Sequence, residues 1–185
     1  MRKLSDILIL LLFTFIIACN SESSKSHYLK KGSVISGKVI AIIDGDTYDI
    51  LIPGNKTIRV RMEGIDAPEK GMPFYQKSKK YLSDLCFHKQ VKIKITGIDN
   101  YKRIIAYTYI DNEKELSHEM IRAGFAWHFK RYNSDCNLSE LELDAKKQRK
   151  GLWMDENPMA PWENRKLHRV GISTNDSFNI EENNR

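Results

Sequence analysis

The chain predicts an α+β fold in which five strands close into a small β-barrel and three α-helices pack around it. Three observations carry this. The first half is a series of short β-branched runs broken by Gly, Pro, Asn and Asp turn signals. After it, apolar residues recur at helical spacing. The elements run strand, strand, strand, helix, strand, strand, and then helices.

The first strand is read in SVISGKVIAIID (33–44), which ends at the turn signal Asp44-Gly45. TYDILI (47–52) follows and is closed by Pro53-Gly54-Asn55. In KTIRVRMEGI (56–65), Ile58, Val60 and Met62 alternate with Thr57, Arg59 and Arg61, the period-2 pattern of a half-buried strand. Phe74, Ser78, Tyr81, Leu82 and Leu85 predict a helix over 73–87. QVKIKI (90–95) and RIIAYTYI (103–110) are the fourth and fifth strands. Leu116, Met120 and Ile121 predict a second helix stopping at Gly124, and Leu138, Leu141, Ala145 and Gln148 a third, opened by Asn137 or Ser139 and ended at Gly151. The strand and helix order is that of an OB-fold, a five-stranded barrel whose face and loops bind oligonucleotides.

At 185 residues the chain has room for one domain with a substantial core and short ends. The start, MRKLSDILILLLFTFIIACN, has two basic residues and then an apolar run of about a dozen, too short to span a bilayer, so 1–18 is read as a signal peptide. The junction IIAC resembles a bacterial lipobox, with Ile16 where Leu is usual. This makes Cys19 the expected lipidated residue, with 19–32 as lipidated cysteine and polar tether. The barrel domain is expected over 33–165, and 166–185 as a polar tail without fixed structure. The protein is thus expected outside the cytoplasm, anchored to a lipid bilayer, or secreted if the lipobox reading fails. Cys86 and Cys136 are either a disulfide or free thiols.

A net charge of +6 and a pI near 9.1 point to a polyanionic partner, nucleic acid or an anionic membrane surface. The aromatic run FAWHFKRY (125–132) suits either base stacking or core packing, and alternation favours burial of Phe125, Trp127 and Phe129.

GIDAPEKG (64–71) holds the chemistry. Asp66-x-x-Glu69 has capping-box spacing, with Pro68 suited to a first helical turn. It is equally half of a metal site. In IDGDTYDI, Asp44 suits a turn, whereas Asp46 begins a strand, where Asp is depleted unless its carboxylate is used. If the first and third strands are neighbours in a small barrel, Asp46 at the start of the second approaches Asp66, and the two repel unless a cation lies between them. A hard divalent ion, Ca²⁺ or Mg²⁺, suits two carboxylates and water. Zinc does not, because the five histidines are scattered and no cysteine cluster is present. Arg61 emerges at the same strand end as Asp66, and Arg103 opens the fifth strand; each is otherwise a solvated surface residue.

With IDGDT (43–47), RMEGIDAPE (61–69), YKRIIAY (101–107), MIRAGFAW (120–127) and RKGLW (149–153), the chain resembles the staphylococcal nuclease (thermonuclease) family in its exported bacterial branch, over roughly 33–165. The resemblance implies a staphylococcal nuclease-like OB-fold and a Ca²⁺-dependent endonuclease. It would hydrolyse single-stranded or flexible DNA and RNA at the P–O5′ bond, leaving 3′-phosphate ends, as a monomer. It further implies that Asp46, Asp66 and the Ala67 carbonyl bind Ca²⁺, and that Glu69 is the general base beside a metal-held water. Arg61 and Arg103 would grip the reacting phosphate and Tyr101 would lie near the substrate. By the resemblance, the chain has Ala67 where many relatives have Thr, Ile104 where some have Gly, Lys130 where some place a tyrosine, and a loop before Arg103 shorter than in the best-known member. The alternative is a non-catalytic OB-fold module of the cell envelope that binds nucleic acid or protein.

Overall fold

The computed structural model describes residues 29–111 and 114–172. The expected signal peptide, Cys19 and most of the tether and tail lie outside the described residues. The described elements fall in one compact unit beginning at Lys31. Among the described residues no helix is long and apolar enough to cross a membrane.

The strands are β1 (Val34–Ile42), β2 (Thr47–Ile52), β3 (Lys56–Met62) and a short β4 (Ile65–Asp66); α1 (Tyr75–Cys86) then leads into β5 (Gln90–Ile98) and β6 (Ile104–Ile110). A two-residue β7 (Lys114–Glu115), α2 (Leu116–Arg122), the short β8 (Trp127–His128), α3 (Cys136–Lys147), a 3₁₀ turn (Gly151–Met154) and α4 (Pro161–Arg169) complete the described chain. The main sheet runs β3-β2-β1-β5-β6-β7. Its neighbours are antiparallel, and a parallel β3–β6 pairing, Val60 against Ile104 and Arg61 against Ile105, closes five strands into the barrel. The β-barrel of OB type with helices outside it is therefore the observed fold.

The alternation read in the sequence is what fills the barrel. Ile58, Val60 and Met62 of β3, Val91, Ile93 and Ile95 of β5, and Ile104, Ala106 and Ile110 of β6 are buried. Burying an Ile or Met side chain fully contributes roughly 1.5–3 kcal/mol. Two polar side chains in this core satisfy each other: the Tyr48 hydroxyl lies 2.5 Å from Thr108 Oγ1.

Several boundaries differ from expectation, each for a local reason. The third strand does not continue through 65. It ends at Met62, and Gly64, at φ 78°, turns the chain so that Ile65 and Asp66 pair with His128 and Trp127. A Cβ at Gly64 would also come within 2.8 Å of Leu138 Cδ1. α3 opens at Asp135, whose carboxylate accepts from Asn137 N at 2.8 Å, rather than at Asn137 or Ser139.

Among the described residues there are four α-helices where three were expected. α4 runs to Arg169, so helical structure extends past the expected domain end at 165. Its signals are Pro161 in the first turn, Glu163 at the N-terminal end, and Lys166, His168 and Arg169 in the last turn. Trp162 fastens it, stacked on Phe129 at 5.3 Å and packed against the Trp127, Trp153 and Leu152 cluster. Cys86 and Cys136 are both free thiols, Cys86 buried and Cys136 exposed; burial pushes the Cys86 thiol up to about 12.

Candidate active site

The β1–β2 turn delivers Asp46. Asp44 Oδ1 accepts from Asp46 N at 3.0 Å, the side-chain-to-backbone bond that makes Asp a turn residue. Gly45 lets the turn press inward: a Cβ there would lie 1.9 Å from Ser78 Oγ and 2.8 Å from the Ala67 Cβ. Asp46 is consequently buried and touches the 66–67 segment directly. Its Oδ2 accepts from Ala67 N at 2.9 Å, and its Oδ1 from the Thr47 hydroxyl at 2.8 Å.

β3 delivers Arg61, and the β2–β3 register sets Thr47 against it. Its guanidinium spans two aspartates, with Nη1 2.6 Å from Asp46 Oδ1 and Nη2 2.8 Å from Asp66 Oδ1; Nη2 also lies 3.2 Å from the Ile65 carbonyl. Asp66 is held in place by the β4–β8 pairing. β8 is itself pinned by the buried Glu142 of α3, which accepts from His128 N at 3.0 Å and pairs with Lys130 and Lys146 at 3.0 Å each. Lys130 is thereby committed to Glu142.

The capping-box reading of Asp66 and Glu69 does not hold. α1 starts only at Tyr75, behind Phe74 with no side-chain cap, and both carboxylates face arginines. Glu69 Oε1 lies 2.7 Å from Arg165 Nη1, and Asn164 Nδ2 approaches Oε2 at 3.4 Å. Arg165 Nη2 also lies 2.5 Å from Asp66 Oδ2. Neither Asn164 nor Arg165 was singled out in the sequence, because they sit 96 residues beyond Glu69 in the case of Arg165, on a helix with few apolar residues.

Arg103 is prepared differently. Asp99 takes its Nε at 2.7 Å, while Asp99 Oδ1 accepts from the backbone N–H of both Tyr101 and Arg103 at 2.9 Å. The guanidinium stands over the Tyr101 ring at 5.4 Å, and Tyr101 is 82% exposed. The Nη groups of Arg103 make no hydrogen bond among the described residues, so they are open to an anion. Asp99 is a third residue that sequence spacing did not flag; the Asp-Asn pair at 99–100 is its turn signal.

Burial works to raise the pKa of Asp46, but the Arg61 charge, the Ala67 N–H and the Thr47 hydroxyl outweigh it and hold the group below its ordinary value. Asp66 is instead raised, by burial and then by the Asp46 charge, against Arg165 and Arg61. Asp44 is pushed up to about 7 by burial and by Asp46. The cluster therefore holds more carboxylate than its two guanidiniums comfortably balance.

No three His, Cys, Asp or Glu side chains converge as a metal cage among the described residues. What does converge is carboxylate oxygen: two buried aspartates within the width of one guanidinium, with the Ala67 N–H donating to Asp46. That donor set fits a hard divalent cation that keeps several waters, and does not fit zinc.

Residues 59–155 match the family described as "Staphylococcal nuclease homologue". A Haemophilus influenzae protein described as "Uncharacterized endonuclease" is 37% identical over 172 residues, covering 93% of this chain and 90% of its own length. The "Micrococcal nuclease" of Shigella flexneri is 35% identical over 143 residues, 72% of this chain and 82% of its own. An Escherichia coli "Uncharacterized endonuclease" is 35% identical over 128 residues, 69% of this chain and 83% of its own. With the barrel topology and the extent of these matches taken together, the chain belongs to the staphylococcal nuclease family.

Proposed function

We propose that this nuclease is a calcium-dependent endonuclease that hydrolyses DNA and RNA, cleaving the P–O5′ bond of single-stranded or flexible substrate to leave 3′-phosphate and 5′-hydroxyl ends. The observation that carries the reading is Arg61 joined to Asp46 and Asp66 at 2.6 and 2.8 Å, with Glu69 in the same carboxylate cluster. Asp46, Asp66 and the Ala67 carbonyl would hold Ca²⁺, which supplies positive charge to the phosphate as negative charge builds on it.

The chain's own groups do the rest. Glu69 takes the proton of the attacking water, a role in which reach matters before pKa. Arg103 offers a planar fork to the equatorial phosphate oxygens, Arg61 adds positive charge from its place on Asp46 and Asp66, and Tyr101 lines the approach. Because Asp99 fixes Arg103 through Nε alone, its fork is oriented before substrate arrives. Donors aimed in advance stabilise the transition state more than the ground state.

The test incubates the full chain with single-stranded DNA and with RNA, with Ca²⁺ and with a chelator, beside Glu69→Gln and Arg103→Ala. Cleavage is expected only with the metal, and Arg103→Ala is expected to lose roughly 2.7–4 kcal/mol of transition-state stabilisation, the range for one preorganised donor. Metal-independent cleavage, or full activity in both variants, would sink the mechanism. Binding without cleavage under every condition would instead support an envelope binding module.

The N-terminal pattern supports a lipid anchor at Cys19 and, with it, an extracytoplasmic, membrane-anchored enzyme acting as a monomer. Cys19→Ser is expected to release the protein into the medium, and retention of the variant on membranes overturns the anchor.

A further inference from the structure

The proposed phosphate chemistry leaves one guanidinium of the cluster without a task. Arg165 of α4 reaches Asp66 Oδ2 at 2.5 Å and Glu69 Oε1 at 2.7 Å, with a longer approach of 3.4 Å to Asp66 Oδ1. Arg61 already holds Asp66 Oδ1 at 2.8 Å. Both oxygens of Asp66 are therefore occupied by arginines. Those of Asp46 are taken by the Ala67 N–H, the Thr47 hydroxyl and Arg61.

A divalent cation between Asp46 and Asp66 needs oxygens that are now committed. Of the two guanidiniums, Arg61 is the fixed one: its side chain is 16% exposed and bound to Asp46, Asp66 and the Ile65 carbonyl. Arg165 is 36% exposed, at the rim, on the last described helix. Two positive groups on one carboxylate repel each other, more strongly out of bulk water. Arg165 is the one with somewhere to go.

We infer that Arg165 is a resident counter-cation: it balances Asp66 and Glu69 while the metal is absent, competes with the divalent cation for Asp66, and swings out when the cation enters. The inference rests on the calcium reading above and adds a coupling to it. Since the same guanidinium grips Glu69, the base is released only when Asp66 is handed over. An affinity measured from such a state is weakened in proportion to the fraction of molecules in which the competing group is already out.

Calcium titration calorimetry on the full chain, without nucleic acid, tests this with Arg165→Gln, Arg165→Lys and Arg169→Gln. Arg165→Gln is expected to tighten calcium binding about tenfold, corresponding to a metal-ready state populated in roughly one molecule in ten of the wild type. Arg169→Gln removes the same charge from the same helix without touching either carboxylate, and should shift affinity less than about twofold. If Arg165→Gln does not fold, as judged by circular dichroism, Arg165→Lys reads the same point. A single ammonium cannot span Asp66 and Glu69 as a fork does, so calcium binding should still tighten, by about threefold. Unchanged or weaker binding in the folded Arg165 variants, or equal tightening by Arg169→Gln, overturns the inference alone. A wild-type chain that binds no calcium overturns it together with the calcium reading.

Discussion

Arg61 is the residue on which the cluster's stability turns. It is the group shared by two buried aspartates, and Arg61→Ala would leave both carboxylates short of a partner. The expected cost is about 3–5 kcal/mol, the range for breaking a buried ion pair from one side. Millimolar calcium should return a good part of it, because a ligand that binds only the folded state stabilises that state. Urea denaturation with calcium and with chelator checks both halves, and a variant equally stable with and without calcium would contradict the expectation. Arg103, in the proposed mechanism, acts on the rate rather than on the fold. Its partner Asp99 is a neighbour in sequence, and its Nη fork points to no protein acceptor among the described residues. Arg103→Lys should therefore keep wild-type stability while losing most of the activity lost by Arg103→Ala, since an ammonium does not reproduce a bidentate contact. Single-turnover cleavage rates of the two variants, set side by side, decide it.

The elements differ in how far the sequence disclosed them. Strand residues such as Ile58, Val60 and Met62 declare themselves because a side chain every second position must enter the barrel. Asp46, Arg61 and Asp66 were legible for a related reason. They lie at or beside strand ends that one tight turn and the β2–β3 pairing bring together, β2 standing between the first and third strands. α4 was not legible, because its only fully buried positions are Pro161 and Asn164, and its anchor, Trp162, finds a partner in Phe129 that no local pattern reveals. Glu142 of α3 was missed similarly: a charged residue inside a polar helix reads as surface until β8 is laid across it. That contact yields a pH prediction. Burial pushes the Glu142 carboxyl up, but Lys130, the His128 N–H and Lys146 outweigh burial and hold it below its ordinary value. A depressed carboxylate stabilises the fold above its unfolded-state pKa, and that stabilisation is lost as pH falls through the folded-state value. Glu142→Gln is thus expected to cost about 2 kcal/mol at neutral pH, as for a hydrogen bond to a charged group. The gap should narrow as pH falls and close in acid below the folded-state value, where the wild type is itself protonated. Denaturation curves at neutral and acid pH test it, and a gap that persists in acid would show that shape, not charge, is what Glu142 supplies.

At the scale of the whole molecule, the charge of +6 frames how the enzyme meets its substrate. Exposed Tyr101 and Lys102, on the loop that Asp99 braces, stand where a polyanion would arrive. Each phosphate neutralised on a single strand releases counterions, giving a slope of about −0.7 per contact in log affinity against log salt. Binding of a single-stranded oligonucleotide to Glu69→Gln in calcium should weaken about tenfold or more between roughly 50 and 200 mM salt. Fluorescence anisotropy reads this, and a flat profile would mean that the net charge serves something other than substrate capture. The span of the Arg165 contacts carries a different consequence, one of timing. Chains emerge N-terminus first and begin to fold as they do. Every barrel strand is made before Arg165, which pairs with an aspartate 99 residues behind it. A growing chain therefore assembles its acidic cluster with Arg61 in place and Arg165 still to come, and the second counter-charge arrives only after every barrel strand has been made.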